Sequence, residues 1–201
     1  MPSLPPMPLG TRATAARQRT ELLDALRLQL DERPWGEVTM ADVATAAGVS
    51  RQTLYREFGS RRELGAALVL READRFLADV EAAMRGRAGD ATGALADAFD
   101  AFLALAAGNP IVAAFLSPSG AEELLPSITV EGGPLLTGAV QRLARTFREG
   151  HPALPEEDAV LVAECLVRLA LSHLATPEGP AAMTGASLAA LLGPRLQQLT
   201  A

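Results

Sequence analysis

A chain of 201 residues, 49% of them hydrophobic and 21% charged, can bury a sizeable core and is too apolar to be disordered. Its net charge of −6 excludes attachment to a polyanion by bulk charge: 18 arginines and no lysine face 24 acids, and residues 1–75 hold 11 of the arginines and 10 of the acids. The lone cysteine, Cys165, excludes an intrachain disulfide, and abundant Ala and Leu without runs of alternating Val, Ile and Thr predict an all-α chain.

The first residues, MPSLPPMPLG, carry three prolines in six positions and lack the basic-then-apolar order of a signal peptide, so residues 1–13 read as a disordered arm. A helix follows over 14–32, with Leu22, Leu23, Leu26 and Leu30 at helical spacing. Pro34 and Gly36 end it, and Trp35 and Val38 should pack beneath what comes next. Thr39 with Asp42 is a capping pattern that opens a short helix, which Gly48 closes. Ser50 caps a second short helix with Thr53, Leu54 and Phe58 inward, and Gly59 stops it. Ser60 with Glu63 opens a longer helix over 61–84.

Further helices are predicted over 91–107, 111–116, 134–148, 156–175 and 185–199, with one turn over 121–125 and loops at 126–133 and 150–155. The count is about nine. The helix at 156–175 is apolar nearly all round, so both its sides should be buried. Glu164, Arg168 and His173 interrupt its apolar run, which makes it a poor membrane span and predicts a soluble, cytoplasmic chain with no membrane partner.

Helix, glycine turn, helix is the arrangement that places a second helix in the DNA major groove. The run from Val38 to Leu64, with Gly48-Val49-Ser50, Thr53-Leu54-Tyr55 and Phe58, resembles the DNA-binding domain of tetracycline-repressor (TetR) family regulators over about residues 15–65. The resemblance implies a helix-turn-helix DNA-binding domain at 14–60 and a helical ligand-binding and dimerisation domain at 61–201. It also implies a homodimer on a double-stranded DNA operator, paired through the last two long helices, with helix 61–84 shifting when a small effector binds. One position departs from the pattern: the family's histidine before the phenylalanine, a phosphate contact, is here Glu57.

Arg51, Gln52 and Thr53 occupy the first turn of the second short helix, where Arg can pair with guanine and Gln with adenine. Thr39, Tyr55 and Arg61 read as phosphate contacts, with Ser50 and Arg56 beside them. Arg12 and Arg17 are further candidates for backbone or minor groove. The plainer reading is that these are ordinary exposed polar side chains, that Thr53 faces inward and that Tyr55 is partly buried.

The pocket wall is expected among Phe76, Phe99, Phe102, Leu103, Phe115, Leu136, Val140, Leu143, Phe147 and Leu169; five of the six phenylalanines fall between 76 and 147. These residues equally suit a plain core. An apolar pocket would favour a lipophilic effector. The dimer seam is expected at Val160, Ala163, Glu164, Val167, Arg168 and Leu171, and at Leu188, Leu192 and Leu196. Glu164 and Arg168 stand at ion-pair spacing. His173 and Cys165 read as a core histidine and a small thiol. Two histidines and one cysteine offer no zinc site, no cofactor motif is present, and no catalytic constellation appears. The resulting expectation is a ligand-responsive repressor, not an enzyme. A helical lipid carrier or enzyme with a merely structural helix-turn-helix, or an activator, stands as the alternative.

Overall fold

The computed structural model describes residues 9–124, 133–175 and 183–200. Among these residues the chain is all-helical, with no strand: α1 (Leu9–Glu32), a 3-10 turn (Trp35–Glu37), α2 (Met40–Ala46), α3 (Arg51–Phe58), α4 (Arg61–Arg85), α5 (Ala91–Ala106), α6 (Pro110–Leu116), α7 (Pro118–Glu123), α8 (Gly133–Gly150), α9 (Glu156–Ala175) and α10 (Gly185–Thr200). No single helix among them is long and apolar enough to cross a membrane.

Three boundaries differ from expectation. Helix α1 starts at Leu9, so the back of the expected arm is helical; between Pro8 and Ala16 only Gly10 is a poor helix former. Residues 1–8 lie outside the described residues. Helix α7 begins at Pro118, because Ser117-Pro118 is a cap followed by a first-turn proline and not a break: Gly120 donates its N–H to Ser117 Oγ at 3.1 Å. The chain divides into two compact units, 1–69 and 70–201, so the division falls inside α4 and not before Arg61. Leu64 and Leu68, both buried, give the first turns of α4 to the N-terminal unit.

The N-terminal unit is assembled from caps around one tryptophan. Thr39 and Asp42 form a complete capping box: the Thr39 N–H donates to Asp42 Oδ2 at 2.9 Å and the Asp42 N–H to Thr39 Oγ1 at 3.3 Å. These bonds, with Arg33 and Arg51 nearby, hold the Asp42 carboxyl below its ordinary range. At the other end of α2 the Gly48 N–H reaches Thr45 O and the Val49 N–H reaches Ala44 O at 2.9 Å, the paired bonds of a Schellman turn. Gly48 sits at φ +66°, which only glycine adopts without strain. Ser50 caps α3 through the Thr53 N–H at 3.1 Å. The Ser60–Glu63 pair is looser than a full box: Glu63 donates its N–H to Ser60 Oγ, while its carboxylate accepts from that same hydroxyl instead of the Ser60 N–H. Leu22, Leu26, Trp35, Val43 and Leu54 form the unit's core.

In the C-terminal unit α5 lies along α10 and α8 lies along α9. Their shared core is Leu95, Ala98 and Phe99 of α5, Leu143, Ala144 and Phe147 of α8, Ala159, Ala163 and Leu166 of α9, and Leu188 and Leu196 of α10. Small residues let α10 approach α5 closely. A methyl group on Gly185 would strike the Ala96 carbonyl, and one on Gly193 would meet Thr92 Cγ2 at 2.7 Å. The Gly185 N–H donates to Asp100 Oδ1 at 2.7 Å, so the start of α10 is capped by a side chain of α5.

Candidate nucleic-acid interface

Helix α3 carries the candidate surface. At 100° per residue Arg51, Gln52, Tyr55 and Arg56 fall within an arc of about 140°, and all four are exposed, Tyr55 by 50%. Leu54 and Phe58 are buried and anchor the helix from behind. The two caps that bracket α2 and α3 therefore aim one polar face of a short, rigid helix outward. That face offers two guanidinium groups, one amide and one phenol, a donor-rich set suited to base edges and phosphates.

The other expected contacts divide. Thr39 is exposed at the start of α2, with its hydroxyl donating to Asp42 at 2.6 Å. Ser50 and Thr53 are engaged with each other: their hydroxyls lie 2.9 Å apart, and Thr53, half-buried, is the third residue of the helix. Arg61, half-buried, is engaged within the unit. Its guanidinium stacks 4.1 Å from the Trp35 ring centroid and donates to the Trp35 carbonyl, so it braces the 3-10 turn from within. Arg17 pairs with Glu21 on the surface of α1 at 2.9 Å. The Arg12 side chain lies outside the described residues.

Sequence reading missed the role of Arg19. Its Nη1 lies 3.0 Å from Glu57 Oε1, and its guanidinium carbon sits 4.4 Å above the centroid of the Phe58 ring. The partners are 38 positions apart in the chain, so only the packing of α1 on α3 brings them together. Glu57 is thus neutralised within the unit.

The expected pocket residues all belong to the C-terminal unit. Phe99, Leu143 and Phe147 are fully buried in its core. Phe76 and Phe102 are half-buried and meet edge to face at 6.1 Å, while Leu103, Phe115, Leu136, Val140 and Leu169 are half-buried. His173 meets Phe99 edge to face at 6.4 Å.

The expected dimer seam needs correction at three positions. Ala163, Leu188 and Leu196 are buried inside the protomer's own core, because α9 and α10 turn these residues toward α8 and α5. Val160, Glu164, Val167, Leu171 and Leu192 are half-buried, and Arg168 is exposed, pairing with Glu164 at 2.7 Å. The outward apolar positions on these helices are Leu161, 59% exposed, and Leu191, 74% exposed.

A charged cluster that periodicity did not reveal ties α4 to α8. Arg142 grips the nearly buried Glu81 with two bonds of 3.0 and 3.2 Å and donates to Asp74 at 3.0 Å. The bond from Arg142 is the main cause that holds the Glu81 carboxyl below its ordinary range, against burial. His151, buried after α8, is pushed down by desolvation, with Asp90 opposing.

Comparison with known proteins bears on the whole chain. Residues 22–68 match the family model described as bacterial regulatory proteins, tetR family, and residues 90–194 match that of the bacterial tetracyclin repressor C-terminal domain. The HTH-type transcriptional regulator AlkX of Mycobacterium tuberculosis (strain ATCC 25618 / H37Rv) is 38% identical over 182 residues, covering 90% of this chain and 86% of that relative. Among solved structures, the TetR family repressor AlkX from Dietzia sp. strain DQ12-45-1b, implicated in biodegradation of n-alkanes, superposes with a TM-score of 0.76 at 32% identity over 91% of this chain and 97% of that one. A TetR-family regulator from Pectobacterium atrosepticum shares the fold, with a TM-score of 0.69 at 22% identity over 94% of this chain and 97% of that one.

Proposed function

Because the chain belongs to the TetR family of transcriptional regulators, we propose that it is a cytoplasmic homodimeric repressor, released from a palindromic operator by a small apolar effector of the n-alkane type. It acts by binding and not by catalysis. The observation that carries the DNA reading is the capped α2–α3 pair, which presents Arg51, Gln52, Tyr55 and Arg56 on one outward face. Two such helices about 34 to 36 Å apart fit successive major grooves, which is how two-fold pairing compensates for a nearly neutral domain.

Support for the effector class comes from chemistry and from a relative. The half-buried Phe76, Phe102, Leu103, Phe115, Leu136, Val140 and Leu169 would offer an apolar lining suited to a hydrocarbon, beside the buried Phe99, Leu143 and Phe147. The Dietzia repressor is described as implicated in n-alkane biodegradation. For the dimer, the seam reads best as the outer face of α9 and α10: Leu161, Glu164, Arg168 and Leu171 with Leu191 and Leu192. Helix α4, continuous from Arg61 to Arg85, is the element through which the effector would act.

A gel-shift titration with the DNA upstream of the protein's own gene tests the reading, with n-hexadecane as the effector probe. The expected result is a specific complex that n-hexadecane dissolves and a short-chain alcohol does not. A complex indifferent to n-hexadecane contradicts the effector class. No specific complex contradicts the repressor.

A further inference from the structure

Helix α3 is as wide, with its side chains, as the major groove it would enter: about 10–12 Å against about 12 Å. A helix seated in that groove is walled by a phosphate strand on each side. Its outward face meets bases, and its flanks meet phosphates. At about 100° per residue Glu57 lies about 100° past Arg56 and about 60° from the buried Leu54, at the border between the outward face and the packed one. A bare carboxylate there would repel DNA.

The structure places a cation on that carboxylate. Arg19 reaches from α1, pairs with Glu57 through Nη1, and lies over the Phe58 ring. Its side chain remains 44% exposed, and among the described residues its Nε and Nη2 donors have no protein partner. A long arginine side chain normally loses rotamer freedom when it meets a phosphate. Here the stacking and the ion pair already orient the guanidinium plane, and two donors of this half-exposed side chain stay uncommitted beside α3.

We infer that Arg19 is an operator phosphate contact and that Glu57 is the positioning residue that holds its guanidinium ready on the Phe58 ring. Glu57 therefore works for DNA binding through Arg19 instead of against it. The inference rests on the DNA-binding reading above and adds α1 to the surface that touches DNA.

The test uses the full-length protein and a duplex that the wild type selects from a random DNA library. Affinity is measured across salt concentrations, and thermal melting monitors the fold of each variant. Arg19→Gln should weaken binding roughly fivefold and lower the slope of log affinity against log salt by about one, the signature of one lost phosphate contact. Arg19→Lys keeps the charge but not the stacked fork, so it should keep the slope and recover only part of the affinity. Glu57→Gln should weaken the wild type about two- to threefold without changing the slope, yet strengthen binding in the Arg19→Gln background, where the orphaned carboxylate repels DNA. An unchanged slope in Arg19→Gln overturns the phosphate contact. Tighter binding of Glu57→Gln in the wild-type background overturns the positioning role. Failure of the wild type to select any duplex would strike the DNA-binding reading itself.

Discussion

The N-terminal unit holds helices of 7 and 8 residues in place by local caps and one stacked tryptophan. In the C-terminal unit, among the described residues, helices of 16 to 20 residues hold one another through alanine and glycine at close approach. In the first, the caps act within a few residues of the exposed face they serve, so that face is set largely by local bonds. In the second, position is set by how volumes fill a shared interior. A surface that reads base edges tolerates little error in donor placement. An interior that accommodates a hydrocarbon needs volume more than fixed donors. The two modes of construction suit the two tasks proposed for them.

The sharpest way to break the contrast is at Trp35, fully buried under the Arg61 guanidinium. Trp35→Ala should cost about 3–5 kcal/mol, confined to the N-terminal unit. Hydrogen exchange should show α1 to α3 losing protection while α5 and α8 to α10 keep theirs; uniform loss across both units would show that they do not fold as separate units.

Close packing in the C-terminal unit predicts a different response. Gly185→Ala puts a methyl group against the Ala96 carbonyl, which is backbone and cannot swing aside. It should cost about 1–3 kcal/mol in thermal or chemical melting. Gly193→Ala meets only the side chain of Thr92, its methyl at 2.7 Å and its hydroxyl at 3.2 Å, so Thr92→Ser should recover much of its loss, whereas no side-chain change should rescue Gly185→Ala.

The charged tie between α4 and α8 predicts a pH response of the C-terminal unit. Arg142→Met should cost about 1–2 kcal/mol, between the values of exposed and buried pairs, because Arg142 is itself a third exposed. The Glu81 carboxyl is held low when folded, so its contribution is complete above the ordinary carboxylate range near ~4 and is lost as pH falls through the lower folded value. His151 is also depressed, by burial. Its contribution is complete above about 6.5 and is lost progressively below that, as the unfolded chain takes up the proton first. Denaturant midpoints against pH should therefore fall in two stages. His151→Asn should flatten the first and Glu81→Gln the second.

The smallest effect belongs to the turn. Gly48 sits at φ +66° with open space where a side chain would go, so Gly48→Ala should cost about 1 kcal/mol from backbone strain alone. Gly48→Asn should cost less, since asparagine tolerates this conformation.

How much of this could be read from the chain follows the same division. Thr39–Asp42, Gly48, Ser50 and Gly59 act through bonds that span at most five residues, so the order of residue types already contains the geometry. Arg61 stands at a helix start, where a phosphate contact is expected, and its bond to Trp35, 26 residues earlier, is not legible there. Arg19–Glu57 and Arg142–Glu81 were invisible for the same reason, at separations of 38 and 61. Helix periodicity identifies an apolar stripe but not what covers it, so Ala163, Leu188 and Leu196 read as a seam and prove to be core. Leu161 and Leu191, which stand outward, could not be told from their neighbours without the packing of α9 on α8 and α10 on α5.

The outward face of α3 is proposed to read DNA. The most direct measurement compares the wild type with the double variant Arg51→Ala, Tyr55→Phe on a selected duplex and on a scrambled duplex of equal length and composition. The wild type should prefer the selected duplex by about 1,000-fold or more at physiological salt. The double variant should lose at least tenfold of that preference, at about 1–3 kcal/mol per lost base contact, with its melting temperature unchanged. Equal preference in the two proteins, or a wild type that does not distinguish the duplexes, would contradict that proposal.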